Sequence, residues 1–214
     1  TVLGVVVMAM LAYPLSRPNY KYKKIATFFI FFTMLFSGGL IPTYIWITRY
    51  LHLGDTIWVY ILPCLVNAFH VIVIRSFFQG LPQALMESAK IDGASELQTF
   101  FKIVMPLSKP VIATISLLTL LSRWNDWNTA LIYIKSSNLY SLQYLLQKIL
   151  REAEFVKNMA DSSPVAGMDL DLSNLPSVTI RFAMCMVAAG PMLIIFPFFQ
   201  KYFAKGLVAG AVKG

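Results

Sequence analysis

The residues best suited to recognition chemistry lie in one short run, Arg123-Trp124-Asn125-Asp126-Trp127-Asn128. Indole rings stack on C–H surfaces, while side-chain amides both donate and accept hydrogen bonds. Together they suit a polyhydroxylated ligand such as a sugar, which offers both kinds of surface. Trp124, Asn125, Trp127 and Asn128 are therefore the candidate ligand-path residues. A spacing of three would put Trp124 with Trp127, and Asn125 with Asn128, on neighbouring faces of one helix. Arg123 and Asp126 share that spacing and are expected to pair, because an unpaired charge inside an apolar segment is costly. A competing reading needs no ligand. Trp46, Trp58, Trp124 and Trp127 all fall near one expected surface, where they would form an aromatic belt at the lipid headgroups.

No catalytic set stands out elsewhere. There is no Gly-x-x-x-x-Gly-Lys-Ser/Thr loop, so no nucleotide site of that type is expected in this chain. No metal or cofactor site is expected either. The histidines are His52, in a turn, and His70, inside an apolar run. A histidine at that depth can relay protons, as in a proton-coupled secondary transporter, but more often it bonds a neighbouring helix. Secondary transporters usually carry inverted repeats and paired broken helices, and neither is visible. Cys64 and Cys185 both sit in apolar runs and read as packing residues rather than a disulfide pair.

The elements that must position these residues follow from composition. The chain has 214 residues, 57% of them hydrophobic and only 13% charged. A soluble domain of this length carries more charge, so the chain reads as an all-α, polytopic integral membrane protein. Five spans are expected, over residues 1–15, 25–48, 56–74, 107–134 and 182–199. The first is short and begins inside an apolar run at Thr1, which points to a preceding segment carrying a sixth span. Gly38, Gly39 and Pro42 mark a kink in the second. The fourth is irregular around residues 122–128, and Gly190 and Pro191 interrupt the fifth.

Basic residues set the orientation. Arg17, Lys21, Lys23, Lys24, Lys90, Lys102, Lys109, Lys201, Lys205 and Lys213 fall on one side of these spans. Only Arg49, Lys135, Lys148, Arg151 and Lys157 fall on the other, accompanied by six acidic residues. The first side is cytoplasmic by the positive-inside rule. The net charge of +8 follows from this distribution and does not call for a nucleic-acid partner. Residues 135–177 form an extracytoplasmic polar segment, helical over 142–156 and irregular beyond.

The second polar interruption, residues 81–110, lands in the cytoplasm. It reads as helix, tight turn, helix. Pro82 suits a first helical position, Gly93 a left-handed stop, and Ser95 with Gln98 a capping box. Leu97, Phe100, Phe101 and Val104 form an apolar stripe, and Pro106 and Pro110 close the second helix. By itself such a hairpin would serve as an amphipathic connector.

Its residues also carry a resemblance. Glu87-Ser88-Ala89, three residues, Gly93, nine residues and then Ile103-Val104-Met105-Pro106 resembles the EAA loop of ABC importer permeases. That pattern is Glu-Ala-Ala, three residues, Gly, nine residues, Ile-x-Leu-Pro, from which this chain departs at Ser88 and Met105. Asp92, Ala94 and Phe101 around the glycine, and Trp-Asn-Asp at 124–126, are similar to the carbohydrate-uptake, maltose-type branch. So is the tail, with Lys205-Gly206-Leu207 and the run 209–214 that contains Gly210.

The resemblance implies a single importer transmembrane domain over residues 1–214, with 81–110 as the loop that couples to a cytoplasmic ATPase. The tail with Lys205, Gly206 and Gly210 would reach towards the ATPase dimer. The chain would be one half of a heterodimeric permease. Its partners would be a second permease subunit, two ATPase subunits holding ATP and Mg²⁺, an extracytoplasmic solute-binding protein, a sugar and membrane lipid. It would sit in the plasma membrane of a bacterium or archaeon and catalyse nothing itself. A secondary transporter or a non-transporting membrane scaffold are the rival classes.

Overall fold

The computed structural model describes residues 1–162 and 177–211, and every regular element among them is helical. Three helices make the centre: α1 (Val2–Ser16), α4 (Ala68–Gln79) and α8 (Lys109–Trp124). Small residues let α1 come close to its neighbours, as at many membrane helix contacts. Ala9 and Ala12 are fully buried, and a Cβ on Gly4 would stand 3.2 Å from the Leu65 carbonyl oxygen. Around them close Val5, Met8 and Tyr13 of α1, Val71, Ile74 and Phe78 of α4, and Val111 and Ile115 of α8. Phe100 and Val104 of the hairpin complete this core.

The apolar runs are more broken than expected. α2 (Lys23–Leu35) and α3 (Leu40–Ile45), which continues through a π turn to Tyr50, bend by 112° at the intervening residues. The expected kink at Gly38-Gly39 is thus a full break, with Gly39 at φ +83°, a region that glycine enters without strain. The third run is two 3₁₀ turns, Ile57–Tyr60 and Leu62–Cys64, followed by α4 at 44°. Asn67 does not sit mid-helix. It caps α4, accepting from the His70 backbone N–H at 3.1 Å. α4 then runs on to Gln79, beyond the expected end of that span at residue 74.

The hairpin helices are α5 (Gln83–Ile91) and α6 (Glu96–Thr99), the latter extended by a π turn over Phe100–Val104 and by α7 (Met105–Leu107). α8 leaves this rod at 81°. The fourth run does not form one helix: α8 ends at Trp124 and α9 (Asn128–Tyr133) starts after a turn. α10 (Leu142–Ser162) is longer than the expected 142–156. Residues 163–176 of the segment expected to be extracytoplasmic lie outside the described residues. α11 (Ser177–Ala211) is continuous through Gly190, Pro191 and Pro197, so the expected interruption is absent.

Among the described residues one helix, with its apolar stretch at Phe182–Gln200, can by length and composition cross a membrane unbroken. Three bent pairs reach that length only jointly, and α1 is shorter. The expected spans over 25–48 and 56–74 are thus jointed, the first is one short helix and the last one continuous helix, while the third bent pair joins Glu96–Leu107 of the hairpin to α8 and does not coincide with the expected 107–134. α2 buries none of its side chains, and Phe28, Phe29, Phe32 and Phe36 stack along its exposed surface. Such a surface suits lipid or another apolar chain, not water.

A smaller cluster of Ile47, Val59 and Ile134 lies at the opposite end from the hairpin. There Asp55, in the left-handed region at φ +55°, ties two distant loops together. Its carboxylate accepts from the Lys135 N–H (2.9 Å), the Ser136 N–H (2.8 Å) and the Ser136 hydroxyl (2.6 Å), and its own N–H donates to the Tyr133 carbonyl at 2.9 Å. The Ser136 hydroxyl and the two backbone donors hold the Asp55 carboxyl below the ordinary carboxylate range. A depressed folded-state value means that the clamp stabilises fully at neutral pH and is lost as pH falls through that value. Asp55→Asn should lower the thermal midpoint of the purified protein at pH 7, and the deficit should shrink as pH drops below ~4. A deficit that is the same at both pH values would contradict the clamp.

Candidate functional site

The hairpin turn is built by local chemistry. The Gly93 N–H donates to the Lys90 carbonyl at 3.2 Å and the Ala94 N–H to the Ala89 carbonyl at 2.9 Å. These two bonds make a Schellman motif, which needs a left-handed residue after the cap. Gly93 supplies it at φ +74°. A Cβ there would meet nothing within 4 Å, so a side chain is opposed by the backbone conformation and not by crowding. The capping box forms in both directions: Gln98 N–H to Ser95 Oγ at 3.2 Å and Ser95 N–H to Gln98 Oε1 at 2.9 Å. Pro82 stands one residue earlier than expected, as the cap before Gln83.

Of the motif residues, Ala89 is buried, Ala94 and Ile103 are half-buried, and Glu87, Ser88, Asp92, Gly93 and Pro106 are exposed. The π turn splits the expected apolar stripe. Phe100 and Val104 enter the core, while Leu97 and Phe101 stay outside with Ile91. The hairpin thus leaves three large apolar side chains exposed, Leu97 on the side towards α1 and Phe101 on the side towards α8.

Sequence reasoning missed what holds the hairpin to the bundle. Both of its helices converge on one turn of α1. The Tyr13 hydroxyl donates to Glu96 Oε2 at 2.7 Å, and Arg17 lies 3.7 Å from the same oxygen. Arg17 also reaches the Tyr13 hydroxyl and Met86 of α5, and its guanidinium lies over the Tyr13 ring at 4.5 Å. The Tyr13 and Phe100 rings pack at 5.2 Å between centroids. Tyr13 and Arg17 are four apart at a helix end, a spacing that stacks a cation on a ring. That was the one available signal, since Glu96 is remote in sequence. A cavity of about 420 Å³ beside this contact is walled by Met10, Pro14, Leu97 and Phe100.

The Trp-Asn run falls at the other end of α8. It is not one helical face, because the chain turns at Asn125–Trp127. Trp124 Nε1 donates to the Ala188 carbonyl of α11 at 2.8 Å, so its indole joins two helices. The Asn125 amide folds back on the Leu121 carbonyl at 3.0 Å. Trp127 faces the Arg151 guanidinium, 5.5 Å from its ring, and Asn128 is exposed at the start of α9. Arg123 and Asp126 approach at 3.9 Å, as their spacing predicts. The closer bonds of Asp126 go elsewhere: Thr129 donates to it from its N–H at 3.0 Å and from its hydroxyl at 2.7 Å. His70 lies 3.4 Å from the Thr119 hydroxyl on α8, a helix-to-helix contact. The backbone of α11 carries Lys205, Gly206 and Gly210, whose side chains lie outside the described residues.

Residues 4–209 match the family described as binding-protein-dependent transport system inner membrane component. The chain belongs to that family. Over its whole length it is 41% identical to the polygalacturonan/rhamnogalacturonan transport system permease protein YtcP of Bacillus subtilis (strain 168), covering 72% of that protein. It is 33% identical to the arabinooligosaccharides transport system permease protein AraQ of the same organism, covering 69% of it. Among solved structures it is similar to a chain of a bacterial ABC transporter involved in the import of the acidic polysaccharide alginate. The TM-score is 0.80 and the identity 30%, over 95% of this chain and 70% of that one. The secondary-transporter and scaffold readings are not favoured by these relationships.

Removing the Tyr13 hydroxyl deletes a hydrogen bond to a carboxylate, a class worth about 1.5–3 kcal/mol. Tyr13→Phe should therefore raise amide hydrogen exchange across residues 83–99 by about tenfold or more, and leave α4 and α8 unchanged. Glu96→Gln should do less, because that side chain is 73% exposed. Unchanged exchange in the hairpin of Tyr13→Phe would show that the tether does not hold it.

Proposed function

We propose that this chain is the permease subunit of an ATP-driven ABC importer for oligosaccharides, with acidic oligosaccharides as the favoured class. The hairpin carries the reading: a left-handed turn at Gly93 with the apolar side chains of Ile91, Leu97 and Phe101 exposed. Membership of a binding-protein-dependent transport family supports it. The substrate class is supported by two relatives, the polygalacturonan/rhamnogalacturonan permease and the alginate importer.

On this reading residues 1–214 form one transmembrane domain with five spans. Residues 81–110 are the cytoplasmic coupling loop, and 135–177 are extracytoplasmic. Glu87, Ser88, Ala89, Asp92, Gly93, Ala94, Ile103 and Pro106 form or shape the face that meets the ATPase. Lys205, Gly206 and Gly210 lie on the tail that approaches it. The partners are a second permease subunit, two ATPases and a solute-binding protein. ATP and Mg²⁺ bind on the ATPases, and this chain is not catalytic. ATP closes the ATPases, the hairpin moves with them, and the Tyr13–Arg17–Glu96 contact carries that motion into α1. Alternating access then follows from the different affinities of the two states for ATP.

Any side chain at Gly93 costs about 1–2 kcal/mol in the left-handed region, more when β-branched. Gly93→Val should abolish ATP-driven uptake while the protein still reaches the membrane, and normal uptake by that variant would remove the coupling role. Topology has its own test, in a background with Cys64 and Cys185 replaced. A cysteine at Ser137 should react with an impermeant reagent in intact cells and one at Ser95 should not. The reverse pattern would overturn the orientation.

A further inference from the structure

Two buried donors near the outer end of α8 have no acceptor: Arg123 Nε and Gln143 Nε2. Buried polar groups in proteins are nearly always hydrogen-bonded, so two orphans of one sign in one neighbourhood call for an explanation. Both belong to the surroundings of Asp126. Arg123 approaches its carboxylate only at 3.9 Å, while Thr129 takes both oxygens at 3.0 and 2.7 Å. Gln143 lies two residues after Ser141, whose hydroxyl donates to the Asp126 carbonyl at 3.1 Å. The same α10 brings Arg151 over the ring of Trp127. The Cys64 thiol and the His70 imidazole, which both lie near Arg123, carry no negative charge at neutral pH.

The cluster is therefore rich in donors and positive charge, poor in acceptors, and flanked by Trp124 and Trp127. A neutral sugar would use the rings and amides but leave the excess donors unmatched. A sugar acid would not: its carboxylate takes two parallel N–H bonds from a guanidinium, a geometry arginine is built for. We propose that Arg123 and Gln143, with Arg151 at the rim, form a carboxylate-binding subsite for an acidic oligosaccharide. Asp126 then serves chiefly to cap α9 and holds Arg123 only loosely. This rests on the saccharide-permease reading above and deepens it, since it assigns recognition of the acid to named residues.

The test uses the intact membrane complex, purified without its solute-binding protein, and equilibrium binding of trigalacturonate. The fully methyl-esterified trisaccharide is the uncharged control. A charge-assisted pair lost from a partly buried site lowers affinity about ten- to hundredfold. Arg123→Gln should weaken trigalacturonate binding by that factor and alter ester binding by less than about threefold, with Arg123→Lys falling between. Gln143→Ala, which removes no charge and keeps the helix, should weaken the acid about three- to tenfold. It also serves should Arg123→Gln fail to assemble. Equal effects on acid and ester, or none on either, would overturn the subsite while leaving the saccharide reading intact. Wild-type complex that binds neither trisaccharide would overturn both.

Discussion

The close approach of α1 to α4 and α8 is the constraint on which the rest depends. It is possible because Gly4, Ala9 and Ala12 present almost no side chain where the helices meet. In lipid no hydrophobic force draws helices together, so dispersion and shape at such contacts decide the packing. Enlarging any of these positions would overpack the site, at a typical cost of ~1–3 kcal/mol. α1 is thereby fixed as the shaft of the molecule. One end of that shaft bears Tyr13 and Arg17, which hold both helices of the hairpin.

This arrangement gives the hairpin two different faces. Its inward face is specific and polar at one point, the hydroxyl of Tyr13 on Glu96, with Phe100 and Val104 locking the second helix into the core. Its other face exposes Ile91, Leu97 and Phe101 among polar side chains. A rigid body held at these points, with exposed apolar side chains, suits a lever that a partner pushes. At the far end the Asp55 clamp and the Arg123–Asp126–Thr129 cap stiffen the outer loops, so motion passed along α8 would reach Trp124 and, through its bond to Ala188, α11.

What was legible in the sequence was local. The capping box at Ser95 and Gln98, the left-handed Gly93 and the Arg123–Asp126 approach all involve residues within a turn of each other. Their geometry follows from helical spacing alone. What was not legible was remote or depended on accumulated bending. Tyr13 meets Glu96 across 83 residues and Asp55 meets Ser136 across 81, and no spacing rule reports such contacts. The π turn at Phe100–Val104 rotates the stripe by part of a turn, so Leu97 and Phe101 leave the face that periodicity gave them. Hydropathy read continuous spans at 25–48 and 107–134, because the breaking residues there, Gly38, Gly39 and the Asn125–Trp127 turn, are uncharged or isolated. For the candidate path the assumption of one helix misplaced the faces, because the chain turns between Trp124 and Asn128. Gln143, from a separate helix, could not be foreseen.

The central claim is that the exposed face of the hairpin is the surface on which the ATPase acts. Solvent accessibility at Leu97 tests it most directly, since that side chain is 63% exposed here and lies beyond the tether. In a background lacking the native cysteines, Leu97→Cys should react rapidly with a soluble maleimide in membranes holding the permease alone. In the complex assembled with the ATPase subunits it should be strongly protected, with the degree of protection changing on addition of ATP. Equal reactivity with and without the ATPase would contradict the account.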